Sequence, residues 1–231
     1  MHAPPGPLVA VADGLWTVDM PLRVMGAEVG TRMSVIRLKD GRLLLYSPVA
    51  MIEALRSQLA AIGEVAAIVC PNAWHHLFAA DARAAFPTAK LYGPAELAPK
   101  RRDLKFDGYL TNVPPPAWEG TALPSRVEGG SLHETALFHP PSGTLLVADL
   151  IQNIRAPRGA ITRFYLWVGG MTGEPGAHRF VRWSFRNRTE AAHGIRRILK
   201  WEIHRIIPCH GAPIEVDAKA TLSRAYAWLD G

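Results

Sequence analysis

Residues 68–78 read IVCPNAWHHLF. The segment starts inside a short continuous apolar run, AAIVC at 66–70, of the kind expected of a strand buried on both faces. Pro71 and Asn72 break that run as turn residues do. Two adjacent histidines, His75 and His76, follow, and LFAADARAAF at 77–86 then reads as a helix that stops before Pro87. Strand, turn, histidines and helix together present side chains with metal-binding chemistry at the edge of a sheet.

Working outward, LWTVD (15–19), RMSVIRL (32–38) and RLLLY (42–46) read as strands, the last two joined through the turn signal KDG. Ile52, Leu55, Leu59 and Ile62 form one helical stripe, and Gly63 supplies its C-terminal stop. AKLYG (89–93) reads as another buried strand, and residues 95–125, rich in proline and charge, as irregular with short edge strands. ETALFHP and TLLVADL make a hairpin across PSG. Residues 150–188 carry many arginines, glycines and aromatics without a period and read as a long irregular excursion of a kind that often covers a site. Thr189 is placed to cap a helix to about Lys200, HRIIPCHG is a short strand, and Asp217 is placed to cap a last helix with Leu222, Tyr226 and Leu229 inward. Alternating β and α segments followed by a second hairpin and β/α unit suggest two half-domains forming one domain over residues 1–231, sheet packed on sheet with helices outside.

The composition is that of a globular chain: 231 residues, 48% hydrophobic and 20% charged. No apolar run approaches the ~20 residues that span a bilayer, and the first residues lack the basic start and apolar stretch of a secretory signal. The expected location is cytoplasmic, with no membrane partner. Two cysteines make no disulfide framework. Cys70 lies five residues before His75 and Cys209 directly precedes His210. Soft ligation, a redox response and the filling of small buried spaces are all open to them. The net charge of +6 is partly clustered, in KRRDLK (100–105) and along Arg179–Lys200. Such a surface is a solvated face or concentrates anions. No nucleic-acid motif accompanies it, so a small, anionic substrate is the partner expected.

Three polar groups follow apolar strands: His75-His76, Asp149 and His210. Imidazole nitrogen and carboxylate oxygen are ordinary ligands of zinc and related divalent ions. At this point the sequence resembles the metallo-β-lactamase-like superfamily over roughly residues 15–215. The resemblance rests on the opening hairpin, the LLLYSPVA turn, AIVCPNAWHHLF, ALFHPPSGTLLVADL with its terminal ligand-like Asp149, and IIPCHG. More narrowly, PNAWHHLF…FPTAKLYGP is similar to an uncharacterised bacterial branch, a domain of unknown function. The resemblance implies an α/β (α+β) four-layer αββα sandwich.

It also implies a site, and the departures matter there. The superfamily signature H-x-H-x-D-H falls on Pro71, Asn72, Ala73, Trp74, His75 and His76, so two histidines are missing and His75 stands at the aspartate. Gly130 stands at the next histidine ligand, with His133 three residues later. The positions serving the superfamily's first metal are therefore lost. Those serving the second carry His75, His76, Asp149 and His210, and each of these residues has ligand chemistry. The resemblance thus implies one divalent ion, zinc before iron or manganese, held by His76, Asp149 and His210 with His75 as fourth ligand or supporting group. The ion would make a nucleophile of water at neutral pH, for an ester, thioester, lactone, amide or phosphoester. His133 and Glu134 are secondary acid–base candidates, and both are expected to be exposed on a hairpin. Two other functions stay open: a binding or regulatory module that has lost its metals, and a nucleic-acid-processing hydrolase, although the binding domain such relatives add has no room here.

Overall fold

The structure, a computed structural model, describes residues 3–171 and 173–230. The first sheet contains β1 (Val9–Ala12), β2 (Leu15–Met20), β5 (Thr31–Arg37), β6 (Leu43–Tyr46), β7 (Val65–Val69), β8 (Lys90–Gly93) and β9 (Gly108–Tyr109), in that spatial order. Between β2 and β5 a small ribbon, β3 (Arg23–Val24) and β4 (Ala27–Glu28), projects from the sheet. The second sheet runs β10 (Leu123–Val127), β11 (Glu134–His139), β12 (Thr144–Val147), β13 (Arg205–Pro208). The helices are α1 (Glu53–Ile62), α2 (Ala79–Ala85), α3 (Ala160–Val168), α4 (Arg179–Ser184), α5 (Arg188–Ile198) and α6 (Ala218–Tyr226).

Three apolar cores separate four layers. One lies between the outer face of the first sheet and α1–α2, with Leu55 and Leu59 of α1 against Leu43, Leu45 and Ile68. The middle core is sheet on sheet: Leu44, Tyr46, Val69 and Trp118 meet Leu137, Leu146 and Ile207. The third lies between the second sheet and α4–α6, where Phe138, Leu145 and Ile206 meet Ile195, Ile198 and Leu222. Because strands such as β6 and β12 are buried on both faces, they read in sequence as unbroken apolar runs rather than alternations. Tyr46 crosses the middle core, its hydroxyl donating to the carbonyl of Thr135 at 3.1 Å. The result is the αββα sandwich.

The expected hairpin between residues 32 and 46 forms, antiparallel from Arg37↔Leu43 to Ser34↔Tyr46. Two expectations are corrected. The helix start is capped by Asn187, not Thr189: the Asn187 side chain accepts from the Glu190 amide at 3.2 Å, because residue 188 is already helical. Residues 150–188 are not simply irregular, since α3 and α4 lie within them. Their inward positions, Thr162, Leu166 and Val181, are too few to give a clear period.

The decisive feature for function is strand direction. β6 and β7 run parallel in one sheet, and β12 and β13 run parallel in the other. Parallel strands send their C-terminal ends to one edge, which is where the crossover loops of such sheets collect ligand-binding groups.

Candidate metal centre

Each of those four strands ends in a polar residue of the site. Ser47 follows β6, the 70–76 turn follows β7, Asp149 follows β12, and His210 follows β13. The Nε2 atoms of His75 and His210 lie 3.1 Å apart. His75 Nε2 is 3.3 Å from Asp149 Oδ2, and His210 Nε2 is 3.5 Å from Asp149 Oδ1. A tetrahedral ion with bonds of ~2.0–2.1 Å has ligand–ligand edges of ~3.3 Å, so this triangle of donors has the dimensions of a metal-binding face.

The orientation of the rings supports the same fit. His210 Nδ1 is 2.7 Å from the carbonyl of Gly30. A carbonyl only accepts, so Nδ1 carries the proton and Nε2 presents its lone pair to the cluster. A ring nitrogen donating to a backbone carbonyl while the other faces the ion is the usual arrangement of a ligating histidine. The other ring is held by Ser47, whose Oγ lies 2.9 Å from His75 Nδ1; a hydroxyl both donates and accepts, so this contact suits either tautomer of His75. With the His210 Nε2 lone pair 3.1 Å from His75 Nε2 beside a carboxylate, either a hydrogen on His75 Nε2 or a cation must stand between the rings. Burial opposes a charge on His75, yet the Asp149 carboxylate and the Cys209 sulfur outweigh it and hold that imidazole well above its ordinary pKa. Burial would likewise raise Asp149, but His75 and His210 hold it well below the carboxylate range.

The scaffold under the triangle is built around Asn72, which is fully buried. Its Oδ1 accepts from the amides of Trp74 and His75, both at 2.8 Å, and so shapes the turn. Its Nδ2 donates to Asp149 Oδ2 at 2.8 Å and to Glu134 Oε2 at 2.9 Å. Glu134 also accepts from the amides of Ala148 (2.8 Å), Asp149 (2.7 Å) and Leu150 (3.4 Å). Burial and the neighbouring Asp149 charge push Glu134 up to about 7, while its four neighbours are all donors that favour the ionised form. On the His210 side, buried Arg32 donates to the carbonyls of Pro208 (2.9 Å) and Gly211 (2.6 Å) and pairs with Asp19 (2.6 Å). Gly30, just before β5, and Arg32 within it therefore hold the loop after β13.

The structure brings together His75, Asp149 and His210 and leaves the other sequence candidates apart. His76, expected as a ligand ahead of His75, turns toward Arg101, which donates to its Nδ1 at 3.0 Å and to its carbonyl at 2.7 Å. Adjacent residues on this turn diverge, so only one imidazole reaches the cluster. Burial and the Arg101 charge lower the His76 pKa and keep the ring neutral. Glu134 is corrected from an exposed hairpin residue to a wholly buried one, because the start of β11 lies beneath the Asp149 loop. His133 faces Glu96 (3.4 Å) and Arg126 (3.5 Å) and is not among the cavity-lining residues. Cys70 and Cys209 are buried free thiols, and burial pushes Cys70 up to about 12.

The triangle forms part of the wall of a cavity of about 630 Å³. Leu22, Val29, Pro48, Phe78 and Val181 supply apolar lining, and His76, Gln152, Tyr165 and His178 polar points. The reading from sequence missed Ser47, Asn72, Gln152, Tyr165 and Arg101. Asn72 alone had a local signal, as the Asx residue of a Pro-Asn break before two histidines.

A metallo-β-lactamase from Pontibacter korlensis superposes with a TM-score of 0.68 at 13% identity, over 97% of this chain and 99% of that one. The fold is that of the metallo-β-lactamases. The DIM-1 metallo-β-lactamase matches at TM-score 0.66 and 14% identity, over 96% of each chain. A metallo-β-lactamase from Hirschia baltica matches at 0.66 and 13%, over 96% of each chain. Residues 12–97 match a family model described as a domain of unknown function (DUF4336). No curated protein matches the sequence.

Proposed function

We propose that this protein is a hydrolase dependent on a single divalent ion, zinc in the first instance, bound by His75, Asp149 and His210. The observation that carries this reading is the triangle of two Nε2 atoms and one carboxylate, 3.1–3.5 Å on its edges, with His210 already committed by its other nitrogen to a backbone carbonyl. An ion there would acidify water and polarise an acyl or phosphoryl oxygen. The chain's own residues do the rest. Ser47 and Gly30 fix the two ring orientations, and Asn72 holds the Asp149 carboxylate toward the rings. His76, neutral and half-buried at the cavity, is placed to take up or return a proton near a bound substrate. The apolar lining excludes water around that substrate.

A second reading, a metal-free binding module, draws on the same contacts: His75 protonated on Nε2 would satisfy His210 and Asp149 without an ion. Metal analysis separates the two. The hydrolase reading expects about one equivalent of zinc, iron or manganese in purified protein, lost in His75→Ala, Asp149→Ala and His210→Ala and kept in His76→Ala. Protein that is metal-free as purified, with thermal stability unchanged on adding zinc, would reject it in favour of the module.

A further inference from the structure

The positive charge of this chain is concentrated in one segment. Residues 150–189 contain seven arginines, no lysine and a single acid, Glu174, a net charge of +6. That equals the formal charge of the entire chain, so the remainder, with 19 basic and 19 acidic residues, is neutral. None of those seven arginines is in an ion pair among the described residues, although arginines elsewhere commonly are.

The same segment exposes large apolar side chains. On α3, Ile161, Phe164 and Trp167 face outward, with Trp167 65% exposed. On α4, Phe180 and Trp183 do so, with Trp183 68% exposed. The ribbon β3–β4 joins this face. Its turn carries Met25, 96% exposed, and the amide of Glu28 donates to Thr162 Oγ1 of α3 at 2.9 Å. Ile161 lies against Gly26 at that turn, and Phe180 is packed near Trp183, ring centres 5.6 Å apart. Met25 and Phe180 also line the cavity, so the patch reaches its edge on that side.

We propose that this face docks on a bilayer surface carrying anionic headgroups. Arg182 and Arg188 lie over the Trp228 ring, but α3 and α4 themselves carry the exposed Arg163 and Arg179, and exposed aromatic and aliphatic side chains on helices with such cations form the pattern of an interfacial protein surface: the apolar groups enter the headgroup boundary and the cations meet phosphate. Indole rings prefer that boundary. The occupant follows from charge complementarity. A symmetric pair of copies would set one +6 segment against another. A single-stranded nucleic acid would use the aromatics for stacking but leave Met25 and Ile161 without a role. A membrane uses both kinds of apolar group. No helix among the described residues is long and apolar enough to cross a bilayer, and surface docking needs none. Docked in this way, that edge of the cavity faces the lipid.

The test uses the full chain, treated with chelator so that the result is independent of any metal ion. Flotation is measured with vesicles of phosphatidylcholine alone and with phosphatidylglycerol added. Binding to the anionic vesicles is expected to be at least about tenfold tighter and to weaken with salt. Arg158→Gln and Arg163→Gln, both exposed, should each lower it about fivefold. The pair Trp167→Ser and Trp183→Ser should abolish what survives in high salt, with urea stability unchanged because both rings are exposed. Four results would overturn the proposal: equal or absent binding to the two vesicle types, variants that float like wild type, an oligothymidylate that displaces the protein from anionic vesicles at equal charge concentration, or a dimer of the wild type dissociated by the Trp pair.

Discussion

Replacing Asn72 by alanine tests the scaffold of the site directly. The wild-type side chain makes four hydrogen bonds: two from Nδ2 to the carboxylates of Asp149 and Glu134, and two to Oδ1 from the amides of Trp74 and His75. Hydrogen bonds to charged groups contribute ~1.5–3 kcal/mol each and neutral ones ~0.5–1.5. The gross loss is ~4–9 kcal/mol, and water entering the vacated space recovers part of it, so the lower end, about 4 kcal/mol, is expected. In a chain of this length that is a fall of roughly 8–16 °C in Tm. The assay is urea unfolding of chelator-treated protein at neutral pH, so that metal release does not contribute. Asn72→Asp sharpens the test. It keeps the oxygen that shapes the turn but puts a third carboxylate against Glu134 and Asp149. It should be less stable than Asn72→Ala at neutral pH and recover as the pH falls, when a proton replaces the lost amide hydrogens. An alanine variant within ~1 kcal/mol of wild type, or an aspartate variant as stable as wild type at neutral pH, would refute the bridging role.

Glu134 should give the wild type a characteristic pH dependence. Its folded pKa is raised from 4.5 to about 7, so its contribution is fully present below 4.5 and is lost as the pH rises toward 7. Relative to Glu134→Gln, which does not titrate there, wild type should lose stability across that window; a relative gain, read from urea midpoints, would refute the assignment. Gly211 has φ +88 and its Cβ position overlaps the Asn153 carbonyl, so Gly211→Ala should cost at least ~2 kcal/mol. It should also weaken zinc binding in calorimetry by displacing His210. Cys70, buried with its thiol pushed up to about 12, should react with a disulfide reagent only after denaturant is added, as followed by absorbance on the separate Cys209→Ser background.

How much of this was legible beforehand depends on the range of the interaction. The β5–β6 hairpin, α1 with Leu55 and Leu59, and the stop at Gly63 are local matters of periodicity and turn chemistry, and the structure has them. The excursion was not legible, because α3 and α4 bury one narrow side and leave Phe164, Trp167, Phe180 and Trp183 exposed, which blurs any helical period.

By itself the sequence determined that polar residues with ligand chemistry stand at the ends of buried strands, and which strands those are. Only the tertiary structure decided which of two neighbouring histidines joins them. His75 is drawn in by Ser47 and by Asp149 from the opposite sheet, while His76 is held away by Arg101. It also decided that Glu134 lies under the site rather than on a hairpin surface. The physical reason is that hydrogen bonds between residues far apart in the chain select a side chain's direction on a turn, where adjacent positions have no preferred side until the two sheets close.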